Sequence, residues 1–171
     1  MTTIAAWRPM TPDDMDDVER IAEVAHPGFP EAGEVLAEKL ALHPAGCFIL
    51  EATDGSAIGY LLSHPWRSTD APALDTLIGE LPEPEVYYIH DIALLPASRG
   101  MRAGEAAVRQ VETHARELGI DRIALVAVNK STGFWQRQGF QSSTDPKWAA
   151  KLASYGSDAV YMTRILAENP A

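Results

Sequence analysis

Cysteine is almost missing from this chain: Cys47 is the only one in 171 residues. That excludes an internal disulfide and any cysteine cluster for zinc, and it accords with a reducing compartment. Long apolar runs are missing too. No stretch of 18 apolar residues occurs, and the opening MTTIAAWRPM lacks the basic-then-apolar order of a secretory signal, so the expectation is a cytoplasmic protein with no membrane partner. Positive charge is scarce, with 14 Lys and Arg against 24 Asp and Glu and a net charge of -10. A chain this acidic is a poor general ligand for nucleic acid. The shortage is local: up to Leu95 there are 17 acids and 4 bases, and beyond it 7 acids and 10 bases. Such a split suits a protein that meets a cation with its first half and a polyanion with its second, and equally suits a surface kept soluble by its acids.

Internal repeats and linkers are absent as well, and 46% hydrophobic residues suffice for one domain over residues 1–171. Residues 2–9 read as a first strand. Thr11-Pro12-Asp13-Asp14 then supplies a helix start, Met15, Val18, Ala22 and Ala25 recur at helical spacing, and His26-Pro27-Gly28 stops the pattern. A second helix opens at Pro30-Glu31 with Val35, Leu36 and Leu40 as its stripe. Residues 47–52 and 57–63 flank an Asp54-Gly55 turn and predict a hairpin. The proline- and acid-rich stretch 65–84 reads as an inserted surface segment with a short helix over 73–81. Residues 85–95 predict a central strand, 104–118 a helix closed by Gly119, and 122–128 a strand buried on both faces. A short helix over 131–138, a turn at Gly139-Phe140 into another strand, and a last strand over 159–166 complete the chain; residues 168–171 are expected to fray. The sum is an α/β domain with a mixed sheet.

The chemistry points to residues 94–108, LLPASRGMRAGEAAV, where a strand end, a basic glycine-containing turn and a helix start follow one another. Backbone N–H groups and the positive end of a helix converge there on one point, which suits an anion. It is neither a P-loop, lacking Gly-Lys-Ser/Thr, nor a dinucleotide fingerprint, its glycines being wrongly spaced. An ordinary strand-to-helix turn reads the same way.

This segment, the strand before it and VNKSTGFWQRQGF after it resemble the GNAT superfamily of N-acetyltransferases over nearly the whole domain. The resemblance implies a mixed, mostly antiparallel sheet of six to seven strands with about four helices, the fourth and fifth strands parallel and splayed around acetyl-CoA as co-substrate. It implies no metal. Arg99, Gly100, Met101, Arg102, Ala103 and Gly104 occupy the six positions of the family's pyrophosphate motif, Arg102 standing where the family has its first motif glycine. Ile92, Ala93 and Leu94 would pair through their backbone with the pantetheine arm, and Asn129, Ser131 and Trp135 would meet the cofactor in the second conserved region, with Phe134, Gly139 and Phe140 completing that pattern. Tryptophan at 135 replaces a tyrosine that often protonates the leaving thiolate.

For catalysis the resemblance places His90 beside the thioester as general base, with a packed structural histidine as the other reading. Tyr88 shares the His90 face and either packs or relays a proton. Tyr155 could reach the site from the final hairpin in place of the missing tyrosine. Strand alternation turns Asp91 away from His90 into a structural role. Cys47 reads as a small buried hydrophobe, and His26, His43, His64 and His114 carry no metal spacing and are assigned no chemistry. The expected activity is acetyl transfer to a primary amine of a small molecule, cationic or neutral; Trp66, Tyr87 and Tyr88 either suit an aromatic acceptor or simply pack. Transfer of another acyl group, transfer to a protein or peptide N-terminus or lysine, and a catalytically weak acyl-CoA sensor remain open, and a homodimer is compatible with the sequence.

Overall fold

The computed structural model describes residues 5–128 and 130–167. Its strands are β1 (Ala5–Pro9), β2 (Cys47–Ala52), β3 (Ala57–Trp66), β4 (Val86–Leu94), β5 (Arg122–Ala127), β6 (Gln141–Ser142) and β7 (Val160–Ile165). Its helices are α1 (Met15–Ala25), α2 (Gly33–Leu42), α3 (Ala103–Glu117), α4 (Thr132–Arg137) and the short α5 (Lys147–Lys151). One seven-stranded sheet runs β1-β2-β3-β4-β5-β7-β6, and only β4 and β5 are parallel. Among the described residues no helix is long and apolar enough to cross a membrane.

Local sequence explains most of these elements. Thr11 and Asp14 form a capping box at the turn before α1, and Arg8 clamps the Asp14 carboxylate with two hydrogen bonds of 2.9 and 2.8 Å. The hydrogen bonds from Arg8 hold the Asp14 carboxyl below its ordinary range. In α3, Ala107, Val108, Val111 and Ala115 are buried and pack on Tyr87, Ile89, Ile123 and Leu125 of β4 and β5. On the opposite face Val18, Ile21, Leu36 and Leu40 of α1 and α2 pack on Ile49, Tyr60 and Leu62. The sheet is thus covered on both sides, which is why β3 and the first half of β4 are buried without alternation.

Two expectations fail. Residues 73–81 form no helix, because their backbone is spent on other partners. Ile78 and Gly79 donate to Glu38, Thr76 accepts from Lys39, Leu74 donates to Ser154, and Asp75 and Glu31–Ala32 bond reciprocally. The segment is a strap between α2 and the region after α5. The hairpin strand expected to stop at 63 runs on to Trp66, because Pro65 and Trp66 still face Tyr87 and Val86 in register; α5 had no counterpart in the sequence reading. The expectations for residues 2–4, Asn129 and residues 168–171 lie outside the described residues.

Candidate active site

The site begins where β4 and β5 part. Their pairing covers only Tyr87–Ile89 against Ile123–Leu125, while β4 continues to Leu94 along β3. A bulge marks the point: Leu62 faces Asp91 and Ser63 faces Ile89, so His90 has no partner on β3. The extra residue bends the strand away from β5. Beyond it, Leu95 N–H bonds Ile58 on the β3 side, so by strand alternation the backbone groups of Ile92 and Leu94 face the gap.

A cavity of about 340 Å³ fills that gap. The side chains of Ile92, Leu94, Ser131, Phe134 and Trp135 line one part of it, and His26, Glu31, His90, Asp91, Leu74 and Tyr155 the other. Ala93 points away into the α1–α2 core. A second recess of about 320 Å³ shares Leu94, Gly104 and Phe134 with the first and adds Arg99 and Arg102. The turn leading there has Gly100 at φ 82° and Arg102, the residue before α3, at φ 53°. Both are left-handed, and the first turn of α3 leaves the N–H groups of Ala103, Gly104 and Glu105 without helical partners. Met101 packs with Ala103, Leu50 and Ile58, and Trp7 donates to the Ala103 carbonyl at 3.0 Å. A Cβ on Gly104 would meet Phe134 at 2.9 Å, so glycine is what lets the ring close on the helix start.

The expectation that Asp91 turns away from His90 is wrong. The bulge breaks the alternation, and both side chains line the same cavity. His90 Nε2 lies 3.3 Å from Glu31 Oε1, with both side chains nearly buried. Asp91 accepts from the Tyr60 hydroxyl and pairs with His26 Nε2 at 3.0 Å; the same nitrogen is 3.0 Å from the Ile92 carbonyl. Burial pulls the His26 pKa down, but the Asp91 hydrogen bond and charge outweigh it, and the net shift is upward.

Tyr155 sits on a single turn after α5 rather than in the final hairpin, and its hydroxyl donates to Pro72 of the strap at 2.8 Å. Tyr88 does not line the cavity: it is buried among Trp66, Val86, Ala124 and Trp148. Burial pushes both phenols well above their ordinary pKa, so they stay protonated. Of the two readings of Trp66, Tyr87 and Tyr88, the structure shows packing: all three are buried and none lines the cavity. Trp66 donates to Asp70, and Tyr87 meets Ser63 in the core. Phe29, Phe134 and Trp135 are the aromatic walls instead. Burial pushes the Cys47 thiol up to about 12, which suits the packing role expected of it.

Glu31 and His26 were missed in sequence, and no local signal marks them. They stand at the ends of the loop between α1 and α2, 59 and 66 residues from the groups they touch. With Glu19, Glu23 and Asp91 they line an adjoining recess of about 280 Å³.

The model of the Acetyltransferase (GNAT) family matches residues 13–140. The chain belongs to that family. No curated protein matches it, but solved structures share the fold at low identity. A GNAT-like decarboxylase, GphF, in complex with isobutyryl-CoA has TM-score 0.77 and 15% identity, with 95% of this chain and 100% of that one covered. The NatC complex bound to Gag peptide and CoA gives TM-score 0.73 and 15% identity over 96% and 99%. N-acetylglutamate synthase from Neisseria gonorrhoeae, complexed with coenzyme A and N-acetyl-glutamate, gives TM-score 0.67 and 19% identity over 96% of this chain and 36% of its own.

Proposed function

We propose that this GNAT protein transfers an acetyl group from acetyl-CoA to a primary amine of a small molecule, by direct attack in a ternary complex. The observation that carries this is a cavity with two kinds of wall and an adjoining recess that shares Leu94, Gly104 and Phe134 with it. On one side are the free β4 edge and the Arg99–Gly104 turn, which suit the pantetheine arm and the pyrophosphate of the donor. On the other side are Glu31, His90 and Asp91, which suit an ammonium group.

The chemistry follows from those groups. Glu31 and Asp91 hold the ammonium, and His90 takes its proton, leaving a free amine. The amine nitrogen bonds to the thioester carbonyl carbon. The negative charge that builds on the carbonyl oxygen meets the backbone N–H at Leu94, a kind of stabilisation typically worth about 3 kcal/mol. His90, having released the first proton to solvent, takes the second from nitrogen as the carbon–sulfur bond breaks and the thiolate leaves. Tyr155 is the hydroxyl placed to protonate it in this reading, since Trp135 has no acidic proton. No covalent acyl-enzyme is needed, because no activated nucleophile stands among the described residues of the cavity.

The strap supports a small acceptor over a protein chain. Leu74 lines the cavity, and the strap bonds both Glu31 and Tyr155, so it roofs the acceptor end. The test is incubation with acetyl-CoA and a panel of alkyl, aryl-alkyl and amino-acid amines beside peptides with free N-termini, reading free thiol and product mass. Amine-dependent thiol release with an acetylated small amine is expected. Turnover confined to peptides would move the assignment to peptide acetylation, and CoA binding without any turnover would make the protein a sensor.

A further inference from the structure

Among the described residues of the strap, only Leu74 lines the cavity of about 340 Å³. The chain around it is pinned on both flanks. Before it, the Pro72 carbonyl accepts from Tyr155, and the N–H of Leu74 itself donates to the Ser154 hydroxyl at 3.0 Å. After it, the Asp75 N–H donates to Glu31 Oε2 at 3.1 Å, and Asp75 Oδ1 accepts from the Ala32 N–H at 2.7 Å. Tyr155 and Glu31 also line the cavity, so the strap crosses the acceptor end from one to the other with the Leu74 side chain between them. None of these bonds uses that side chain, which is half-buried, so a substitution there leaves the crossing in place.

The walls at this end are of two kinds. Glu31, His90 and Asp91 are polar, whereas Phe29 and Leu74 offer only carbon. No lysine or arginine stands among the described residues of the cavity. Its two imidazoles are already faced by carboxylates, His26 by Asp91 at 3.0 Å and His90 by Glu31 at 3.3 Å. A carboxylate on the acceptor would therefore meet two carboxylates and no free cation, and burying a charge without a partner is costly. An apolar group meets Leu74 and Phe29, and gains by leaving water.

Resting on the acetyltransferase reading, we propose that Leu74 is a specificity-determining residue of the acceptor end: with Phe29 it packs against an apolar, uncharged substituent of the amine, so the substrate class is an alkyl or aryl-alkyl amine and not an amino acid. The ammonium lies at Glu31 and Asp91, and the substituent extends toward the strap. Preference among plain amines comes from apolar contact, and exclusion of amino acids comes from the unpaired carboxylate.

The test compares methylamine, phenylethylamine and phenylalanine, the last two differing only by a carboxylate. The wild type is expected to favour phenylethylamine over phenylalanine by about 100-fold in kcat/KM, since like charges brought together are strongly disfavoured. Leu74→Ala should lower the ratio of kcat/KM for phenylethylamine over methylamine by about 10-fold, with the KM for acetyl-CoA unchanged. Leu74→Met, close to leucine in volume, should restore that ratio. Phenylalanine accepted as well as phenylethylamine overturns the proposal. An equal loss for both plain amines in Leu74→Ala also overturns it, because a roof that merely closes the site would act on every amine alike. Calorimetry of the three amines with the protein in the presence of CoA, where no acetyl group can move, reads the same preferences as affinities. If the wild type acetylates no amine, the acetyltransferase reading fails, while those affinity ratios still decide the role of Leu74.

Discussion

Arg102 shows how much one backbone angle tells. At φ 53° and ψ 34° it occupies a left-handed position that costs a non-glycine residue about 1–2 kcal/mol, in the turn where the proposed donor phosphates bind. A side chain kept at that cost suggests that its charge is used. Arg102→Gly should therefore raise stability by about 1 kcal/mol and weaken CoA binding, two effects of opposite sign that denaturant unfolding and calorimetry separate. Tighter CoA binding in the variant would show that the guanidinium contributes nothing. His90 is the other decisive residue. General-base assistance is worth about 10²- to 10⁴-fold, so His90→Ala should lose about that factor in kcat while the acetyl-CoA KM stays put. An unchanged kcat would pass the role to water or Glu31.

At the scale of elements, the strap depends on α2. Lys39 is fully buried, with its ammonium 3.3 Å from Glu38 and 3.1 Å from the Thr76 carbonyl. Burial works to raise the Glu38 pKa, but the Ile78 and Gly79 N–H groups and Lys39 bring it below its ordinary value. Glu38→Ala would leave the ammonium without its counter-charge and two strap N–H groups without acceptors. Breaking such a pair costs about 3–5 kcal/mol. The expected outcome is a loss of that order in urea unfolding, together with faster amide exchange over 76–79 and a raised acceptor KM. Unchanged exchange there would mean that Glu38 does not hold the strap. Proline and acid content marked this stretch as a surface insertion; only its bonds to Glu31, Glu38, Lys39 and Tyr155 made it part of the site.

For the whole molecule, pH and salt report on where charge sits. His64 has a depressed folded pKa, so the unfolded chain takes up a proton between pH 6.5 and about 3 that the native state refuses. Stability from this group is complete above pH 6.5 and falls as pH drops toward 3. Between pH 7 and pH 5 the loss should be about 2 kcal/mol. His26, its pKa raised, works the other way, contributing most below pH 6.5. The clean measurement is therefore the difference between wild type and His64→Phe, whose pH slope should be shallower by that amount; equal slopes would reject it. The acidic recess lined by Glu19, Glu23, Glu31 and Asp91 adds a second expectation. Surface charge is screened over about 8 Å at physiological salt, so KM for a cationic acceptor should rise with ionic strength while KM for a neutral one stays flat. If acidic amines prove the best acceptors, the recess is not the acceptor's entrance.

Much of this was decided locally, and so could be read along the chain. The helix start at Thr11–Asp14, the stripe of α3, the Asp54-Gly55 hairpin turn and the run of residues 122–128 depend on neighbours a few positions apart, where periodicity and turn chemistry operate. The Arg99–Gly104 turn was legible for the same reason, and so was His90 as the histidine of the central strand. What depended on distant pairing was not. The bulge exists because residues of β3 and β4, 26 to 29 positions apart at that point, pair with one residue to spare; it turned Asp91 into the cavity against strand alternation. Glu31 and His26 acquired their partners only when the α1–α2 loop closed on β4. Side chains far apart in the chain carry no shared local signal, so the basic turn before α3 could be read from sequence, whereas the groups around His90 were brought together by tertiary contact.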